Sequence, residues 1–342
     1  LKSSFKKVFL YQSIETSLLV SLTSITFLKK SIEFYNHQKN HNPIFNQFIS
    51  TFQQNKNEIS TASDFHFLPI SLFKSHCIST AEVPTITDIA KTARFESSGT
   101  TQQQKSVHLI QDVFLYEKSF VSSFNFFYEN IEDYCLLALL PSYLEQKNSS
   151  LVMMVEQLIK KTNHPLSNFY LYNHDELLSV LKQLEDAKQK TILIGVTYAL
   201  LDFSEKFAAN FKQIIFMETG GMKGRRQEMA REEVHHLLKK CFGVKAIHSE
   251  YGMTELMSQA YSSGDGIFRC PPWMKVLVRD LNDPLSVSEK GKGAINIIDL
   301  ANIHSCCFIA TDDMGEIFED GSFKINGRID YSDLRGCSLM YI

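Results

Sequence analysis

Apolar positions along the chain follow two regimes that change over near Tyr261. Upstream of it, short unbroken apolar runs alternate with stretches of helical period. Residues 135–140 (CLLALL) form one run that stops at Pro141; 191–196 (TILIGV) and 213–217 (QIIFM) form two more. Runs of this length, bounded by breakers, predict strands covered on both faces, as in parallel sheets. Ser149 is placed to cap a helix running through Met153, Met154 and Leu158. A helix is predicted over 226–241, with Val234, Leu237, Leu238 and Cys241 on one face and Gly243 just past its end. A fourth strand is predicted at 244–247. This alternation argues for an α/β fold, with sheets layered between helices.

Downstream of Tyr261 the helical period stops. Strands are predicted at 275–278, 294–298, 307–310 and 316–318, with Asp320-Gly321 as a hairpin turn, so this end reads as a β-rich lobe. At the other end, Phe45, Phe48, Ile49 and Phe52 recur at i, i+3, i+4, i+7 and predict a helix with one apolar face. The apolar stretch 17–28 is too short to span a bilayer and lacks the frame of a signal peptide. The string 67–74 (FLPISLFK) holds a proline inside an apolar run, which predicts an edge segment or a packed loop. The expected organisation is a helical part (1–60), an α/β core (61–265) and the β-rich lobe (266–342).

Composition changes the picture little. With 342 residues the chain can bury a large core, and a formal net charge of -3 gives no drive toward nucleic acid or an anionic membrane surface. Seven cysteines, an odd number without C-x-x-C spacing, argue against zinc or a disulfide framework and for a reducing cytoplasm. The 26 phenylalanines suit a thick core and a greasy pocket equally.

Chemistry enters through four polar clusters, three of them beyond the ends of strands, where open α/β sheets bind ligands. The first is Ser97-Ser98-Gly99-Thr100-Thr101, with Lys105 close behind. Consecutive N–H groups free of bulky side chains can fold around phosphate oxygens, and the lysine adds a point charge. The loop has neither G-x-x-x-x-G-K-[ST] nor G-x-G-x-x-G, and a solvated Ser/Thr turn has the same composition. The second, Gly220-Gly221-Met222-Lys223-Gly224-Arg225-Arg226, precedes a helix start and suits an anion, though a solvated basic turn reads alike. The third, Tyr251-Gly252-Met253-Thr254-Glu255, offers a tyrosine to stack on a flat base and a carboxylate to hold Mg²⁺ against phosphate. The fourth, Thr311-Asp312-Asp313-Met314-Gly315-Glu316, sets carboxylates at a strand-to-turn junction, fit for ribose hydroxyls or for an Asx-turn. His235 and His236 read as surface residues, His248 as packed near a strand end, and Cys306 and Cys307 as core.

In this order and spacing the clusters resemble the adenylate-forming enzymes, the acyl-CoA synthetase, luciferase and peptide-synthetase adenylation group. Ser97 to Thr101 with Lys105 is similar to that family's phosphate loop, and 251–255 to its tyrosine-glycine-x-threonine-glutamate motif. Thr311-Asp312-Asp313 is similar to its threonine-glycine-aspartate motif, and Gly327-Arg328-Ile329-Asp330 to the glycine-arginine-x-aspartate before its hinge. The likeness runs from about residue 60 to the end. The strings 67–74, 220–226 and Leu334-Arg335-Gly336-Cys337-Ser338 resemble the acyl-protein synthetase (LuxE-type) branch most. That branch activates a fatty acid as acyl-adenylate, holds it as a thioester on a cysteine and exchanges it with a reductase that makes aldehyde.

The resemblance implies the N-terminal domain of such an enzyme, layered α/β sheets plus a β-rich lobe, with the C-terminal lid domain absent or vestigial. It implies ATP and Mg²⁺ as cofactors and a long-chain fatty acid or other carboxylic acid as substrate. The implied partner is an acyl-accepting, reductase-like protein or a carrier. Ser97, Ser98, Gly99, Thr100, Thr101 and Lys105 would hold the β- and γ-phosphates, with Gly220 and Gly221 nearby. Tyr251 and Gly252 would face adenine, Thr254 and Glu255 the α-phosphate and Mg²⁺, Asp313 the ribose, and Arg328 ribose or phosphate. Cys337 would be the nucleophile, a thiolate attacking the acyl-adenylate, with Arg335 to lower its pKa. Gln102 and Gln104 depart from the family loop, and Asp312 from its central glycine. The chain ends where the lid lysine would follow, which leaves Lys105, Lys223 and Arg225 as candidate cations. A coenzyme A ligase of the same chemistry and a non-catalytic nucleotide- or acyl-binding subunit are the alternatives. Every one of these roles needs the separate turns to converge on one rim.

Overall fold

The computed structural model describes residues 23–52, 59–80, 91–98, 104–141, 146–221, 226–227 and 229–329. Two helices lead. Thr23 caps α1 (Ser24–His41), and the Asn42 side chain caps α2 (Pro43–Ser50), which opens on proline. Phe45 and Ile49 are buried and Phe48 and Phe52 half-buried, as the apolar stripe predicts. A polar anchor adds to that face: Gln38 donates to the carbonyls of Asn302 and Ile303, each at 3.0 Å, and accepts from the Cys307 N–H at 2.9 Å. The 67–74 string forms the edge strand β1 (Leu68–Pro69) and the short α3 (Leu72–Ser75). A hairpin of β2 (Ala93–Glu96) and β3 (Val107–Ile110) carries the Ser/Thr loop at its tip.

The α/β rhythm follows in order: α4 (Val113–Tyr128), β4 (Cys135–Leu139), α5 (Ser150–Thr162), β5 (Asn168–Phe169), α6 (His174–Asp186), β6 (Thr191–Val196), α7 (Thr197–Lys206), β7 (Ile214–Thr219), α8 (Arg231–Phe242), β8 (His248–Tyr251) and β9 (Ala260–Ser262). The sheet order is β5-β4-β6-β7-β8-β9, parallel through β8 and antiparallel at β9. Every residue of β4 and β6 is buried, which explains their unbroken apolar sequence. The chain winds from β4 to β5 and then back past β4 to β6, a reversal of winding of the kind at which open α/β sheets bind ligands.

The second sheet holds β10 (Met274–Arg279), β11 (Val287–Ser288), β12 (Gly291–Asp299), β13 (Phe308–Ile317) and β14 (Phe323–Arg328). Its order is β1-β13-β12-β10-β11, with β14 also on β13; β1 runs parallel to β13 and the other pairs are antiparallel. Gly321 takes a φ of 77° in the β13–β14 turn, as the Asp-Gly signal predicts. Cys306 and Cys307 are core residues, and burial pushes the Cys306 thiol up to about 12. Among the described residues no helix is long and apolar enough to cross a membrane.

Four sequence expectations are corrected. The helix expected at 226–241 begins at Arg231, because Arg226 is drawn away onto Glu205 at 2.6 Å and onto Asp202 of α7. The strand expected at 244–247 is β8, at His248–Tyr251. Its polar side chains hid it, yet His248 bonds the Tyr128 hydroxyl at 3.0 Å and Glu250 the Thr219 hydroxyl at 2.5 Å. The strands expected at 307–310 and 316–318 are one strand, β13, so Asp312 and Asp313 lie inside a strand rather than at a turn. His235 is buried, not on the surface.

Gly243 caps α8 with a φ of 65°, and a Cβ there would clash with Asn210 Oδ1. Gly243→Ala is expected to cost about 2 kcal/mol, combining left-handed strain with the clash. A urea midpoint equal to wild type would contradict this.

Candidate active site

β8 ends on Tyr251, and its hydroxyl reaches across to the second sheet, donating to Asp313 Oδ2 at 2.7 Å. Arg328 on β14, directly opposite Asp313 in register, donates from Nε to Asp313 Oδ1 at 3.2 Å. Alternation along β13 puts Asp313 on the same buried face as Thr311 and Ile317, with Asp312 and Glu316 on the other. A carboxylate on a buried face needs partners, and Tyr251 and Arg328 supply them. Behind the strand, the buried Arg279 donates to the carbonyls of Ile295 at 2.8 Å and Thr311 at 2.6 Å. The Tyr251 ring is only 8% exposed and packs on Phe268 and Phe323, with centroids 5.8 and 5.7 Å away. A buried phenol orients to pair its hydroxyl, and Asp313 provides the acceptor.

Glu255 is 4% exposed. Burial raises its carboxyl above the ordinary range, against the pull of a hydrogen bond from Ser106 and the charges of Arg328 and Lys74. Ser106 also closes the loop hairpin: its N–H donates to Ser97 Oγ at 2.9 Å, and its carbonyl accepts from the Ser97 N–H at 3.1 Å. The base of the Ser/Thr loop is thus pinned beside Glu255, with Ser98 exposed next to it. Gly99, Thr100, Thr101 and Gln102 lie outside the described residues. Gln104 donates to the Lys74 carbonyl at 2.6 Å, tying the loop to α3. Lys105 points to Glu96, 3.7 Å away. The half-buried Thr254 and the carboxyl group of Glu255 are carried on a turn whose two carbonyls are held by His108 Nδ1 and Asn302 Nδ2, each at 2.8 Å. Burial pushes His108 down to about 4, so the ring is neutral.

The register Thr219 to Glu250 sets Gly220 and Gly221 alongside Tyr251 and Gly252. Both glycines are exposed, Gly220 with a φ of 67° and its carbonyl bonded by Thr197 Oγ1 at 3.1 Å. Gly252 is exposed, but a Cβ on it would stand 2.5 Å from Glu250 Oε1. Lys223 and Arg225 lie outside the described residues, as does Cys337. Under this rim Glu218 is buried between Arg231, whose Nε donates at 3.0 Å, and His235 at 3.6 Å. Burial alone would raise the Glu218 carboxyl, but His235, Arg231 and Ser249 outweigh it and hold it below the usual range. Glu218→Gln should cost about 3 kcal/mol at pH 7, as breaking a buried ion pair does. Because the folded pKa is depressed, this contribution is fully present above the unfolded value of about 4.3 and fades as pH falls through the folded one. Urea midpoints of wild type and variant, apart at neutral pH, should converge in acid; a constant gap would contradict the assignment.

Sequence reading singled out Tyr251, Glu255, Asp313 and Arg328 but gave no role to Ser106, Lys74, His108, Arg279, Glu218 or Arg231. Lys74 had a signal, standing at the end of the 67–74 string; the others are held in place by contacts between distant segments.

Among the described residues no group of three or more His, Cys, Asp or Glu could hold a metal by itself. Mg²⁺ does not require one, since it commonly takes one carboxylate together with nucleotide phosphates. A buried Glu255 beside Ser97 and Ser106 fits that donor set.

The architecture is an α/β fold in which a parallel sheet and an antiparallel lobe meet at a polar rim. No family model matches the chain, and no curated protein matches it. Among solved structures it is similar to ATP-bound MatB from Rhodopseudomonas palustris, 17% identical over 73% of this chain and 50% of that one, with a TM-score of 0.51. It is also similar to an ATP-bound RpMatB-BxBclM chimera, 16% identical over 73% and 49%, with a TM-score of 0.50. The O-succinylbenzoate coenzyme A synthetase MenE from Bacillus subtilis, with ATP and magnesium, is 16% identical over 73% and 52%, with a TM-score of 0.49. The chain spans about half the length of these structures, and at such identity the likeness is one of fold.

Proposed function

We propose that this protein uses ATP to activate a carboxylic acid as its acyl-adenylate, and that the acid is a long-chain fatty acid handed on to a protein cysteine. The observation that carries the first part is the meeting of Ser106, Glu255, Tyr251, Asp313 and Arg328, from three separate sheets, at one rim. The ATP held by MatB, on a similar fold, supports the same ligand here.

In the reaction, a carboxylate oxygen of the acid bonds to the α-phosphorus while the bond to the β-phosphate oxygen breaks, and pyrophosphate leaves with the electron pair. The protein's share is placement and charge. At the loop base, where the Ser97 N–H is taken by Ser106, Ser98 and the Gly220-Gly221 turn offer N–H groups to phosphate. Asp313 has lone pairs left to accept from ribose hydroxyls, and Arg328, exposed beside it, meets ribose or phosphate. Mg²⁺, when bound, supplies Lewis-acid neutralisation of phosphate charge, and Glu255 is the residue to hold it. Lys74 and Lys105 place two ammonium groups near the same loop. In the second step the Cys337 thiolate attacks the acyl carbon and expels AMP, giving a thioester that a reductase-like partner or carrier takes up.

The test is acid-dependent ATP–pyrophosphate exchange across a panel of carboxylic acids. Exchange with long-chain acids and covalent label on the protein, lost in Cys337→Ser, is the expected result. Label that leaves only with added coenzyme A would move the acceptor to a small thiol. No exchange with any acid would sink the reading and leave a non-catalytic nucleotide- or acyl-binding subunit.

A further inference from the structure

We infer that His108 is a positioning residue that clamps the Thr254–Glu255 turn and thereby sets how well Glu255 takes a divalent cation; this rests on the reading of Glu255 given above. His108 lies on β3, the strand that leaves the Ser/Thr loop, opposite Phe95 of β2. Alternation puts it on the buried face with Ile110, where an apolar residue would ordinarily stand, and it is 1% exposed. A polar ring at such a place persists only with a partner. Its partner is the Thr254 carbonyl, 2.8 Å from Nδ1; a carbonyl only accepts, so Nδ1 carries the proton. The edge-on Phe73 ring, with centroids 5.6 Å apart, holds the imidazole from the side of α3.

The next carbonyl along, that of Glu255, is taken by Asn302 Nδ2 at 2.8 Å, from the short turn Leu300–Asn302 after β12. Two consecutive carbonyls are therefore gripped from two separate parts of the fold, the loop hairpin and the second sheet. The Glu255 carboxyl meets Ser106, two residues before His108 on the same strand lead. The hairpin thus touches this turn twice, once at the Glu255 carboxyl and once at the Thr254 carbonyl. Outer contacts of this kind orient a ligating carboxylate, and their loss commonly weakens metal binding about 10- to 100-fold.

The experiment compares His108→Asn, whose amide can place an N–H where Nδ1 stands, with His108→Gln and His108→Leu in the full chain. Hydrogen exchange of the 253–257 amides reads the clamp without any ligand. Mn²⁺ titration with ATP present, followed by electron paramagnetic resonance, reads the cation. His108→Leu should speed exchange in that segment and weaken Mn²⁺ at least about tenfold, with His108→Asn within about threefold of wild type. Should the leucine variant fail to fold, the amide pair decides: His108→Gln must behave as the loss and His108→Asn as the rescue. Equal Mn²⁺ affinity in folded variants, or Asn and Gln indistinguishable, overturns the inference. Failure of acid-dependent exchange in wild type would instead strike the functional reading, and these two measurements would still test the clamp.

Discussion

Glu255→Gln should lower acid-dependent pyrophosphate exchange by about 10²- to 10³-fold, the loss typical when one preorganised charge-stabilising group is removed. The substitution is nearly isosteric. Asn302 and His108 hold backbone carbonyls, which the change leaves in place, and glutamine can still accept from Ser106. What disappears is the negative charge available to Mg²⁺. The native carboxyl is itself disfavoured by burial, so removing its charge should not lower stability, and the melting temperature should hold or rise slightly. A variant that melts as wild type and still exchanges at a wild-type rate would remove Glu255 from the metal site. One that loses activity only by unfolding would show nothing about charge, and thermal melts run beside the assay separate the cases.

The largest stability effect is expected at Phe308. Its side chain is fully buried, and its ring meets Tyr35 at 5.2 Å, Phe65 at 4.7 Å and Phe45 at 6.1 Å. These rings come from α1, α2 and the segment before β1, so Phe308 joins the helical N-terminal part to the second sheet. Phe308→Ala should cost about 4 kcal/mol in the urea midpoint, from lost burial and the cavity left behind. The exposed Phe114 is the control, with Phe114→Ala expected within about 0.5 kcal/mol of wild type. A loss below about 1 kcal/mol at Phe308 would mean that the aromatic cluster collapses to fill the space.

Much of the site was legible because its residues sit in short strings. Tyr251 and Glu255 are four apart at the end of one strand, and Asp313 and Arg328 lie on the two arms of a hairpin that Asp320-Gly321 announces. Alternation could also have placed Asp313: it is in phase with Ile317 and therefore faces inward. The misreadings share a cause. β8 carries polar side chains, β13 carries an acidic pair, and His235 is a histidine on a helix. In each case a polar residue is buried and satisfied by a partner that is remote in sequence.

By itself the amino-acid sequence determined the alternation of helices and buried strands, the β-rich end, and which small, acidic and basic residues cluster in turns. These are local properties, set by periodicity and by the backbone preferences of serine, glycine, aspartate and proline. Only the tertiary structure decided that the Tyr251 ring is packed and its hydroxyl bonded to Asp313, that Gln104 reaches the Lys74 carbonyl, and that His108 and Asn302 hold the Glu255 turn. Those are pairings between segments tens to hundreds of residues apart. Their strength comes from the desolvation each partner would suffer alone, which no local pattern records.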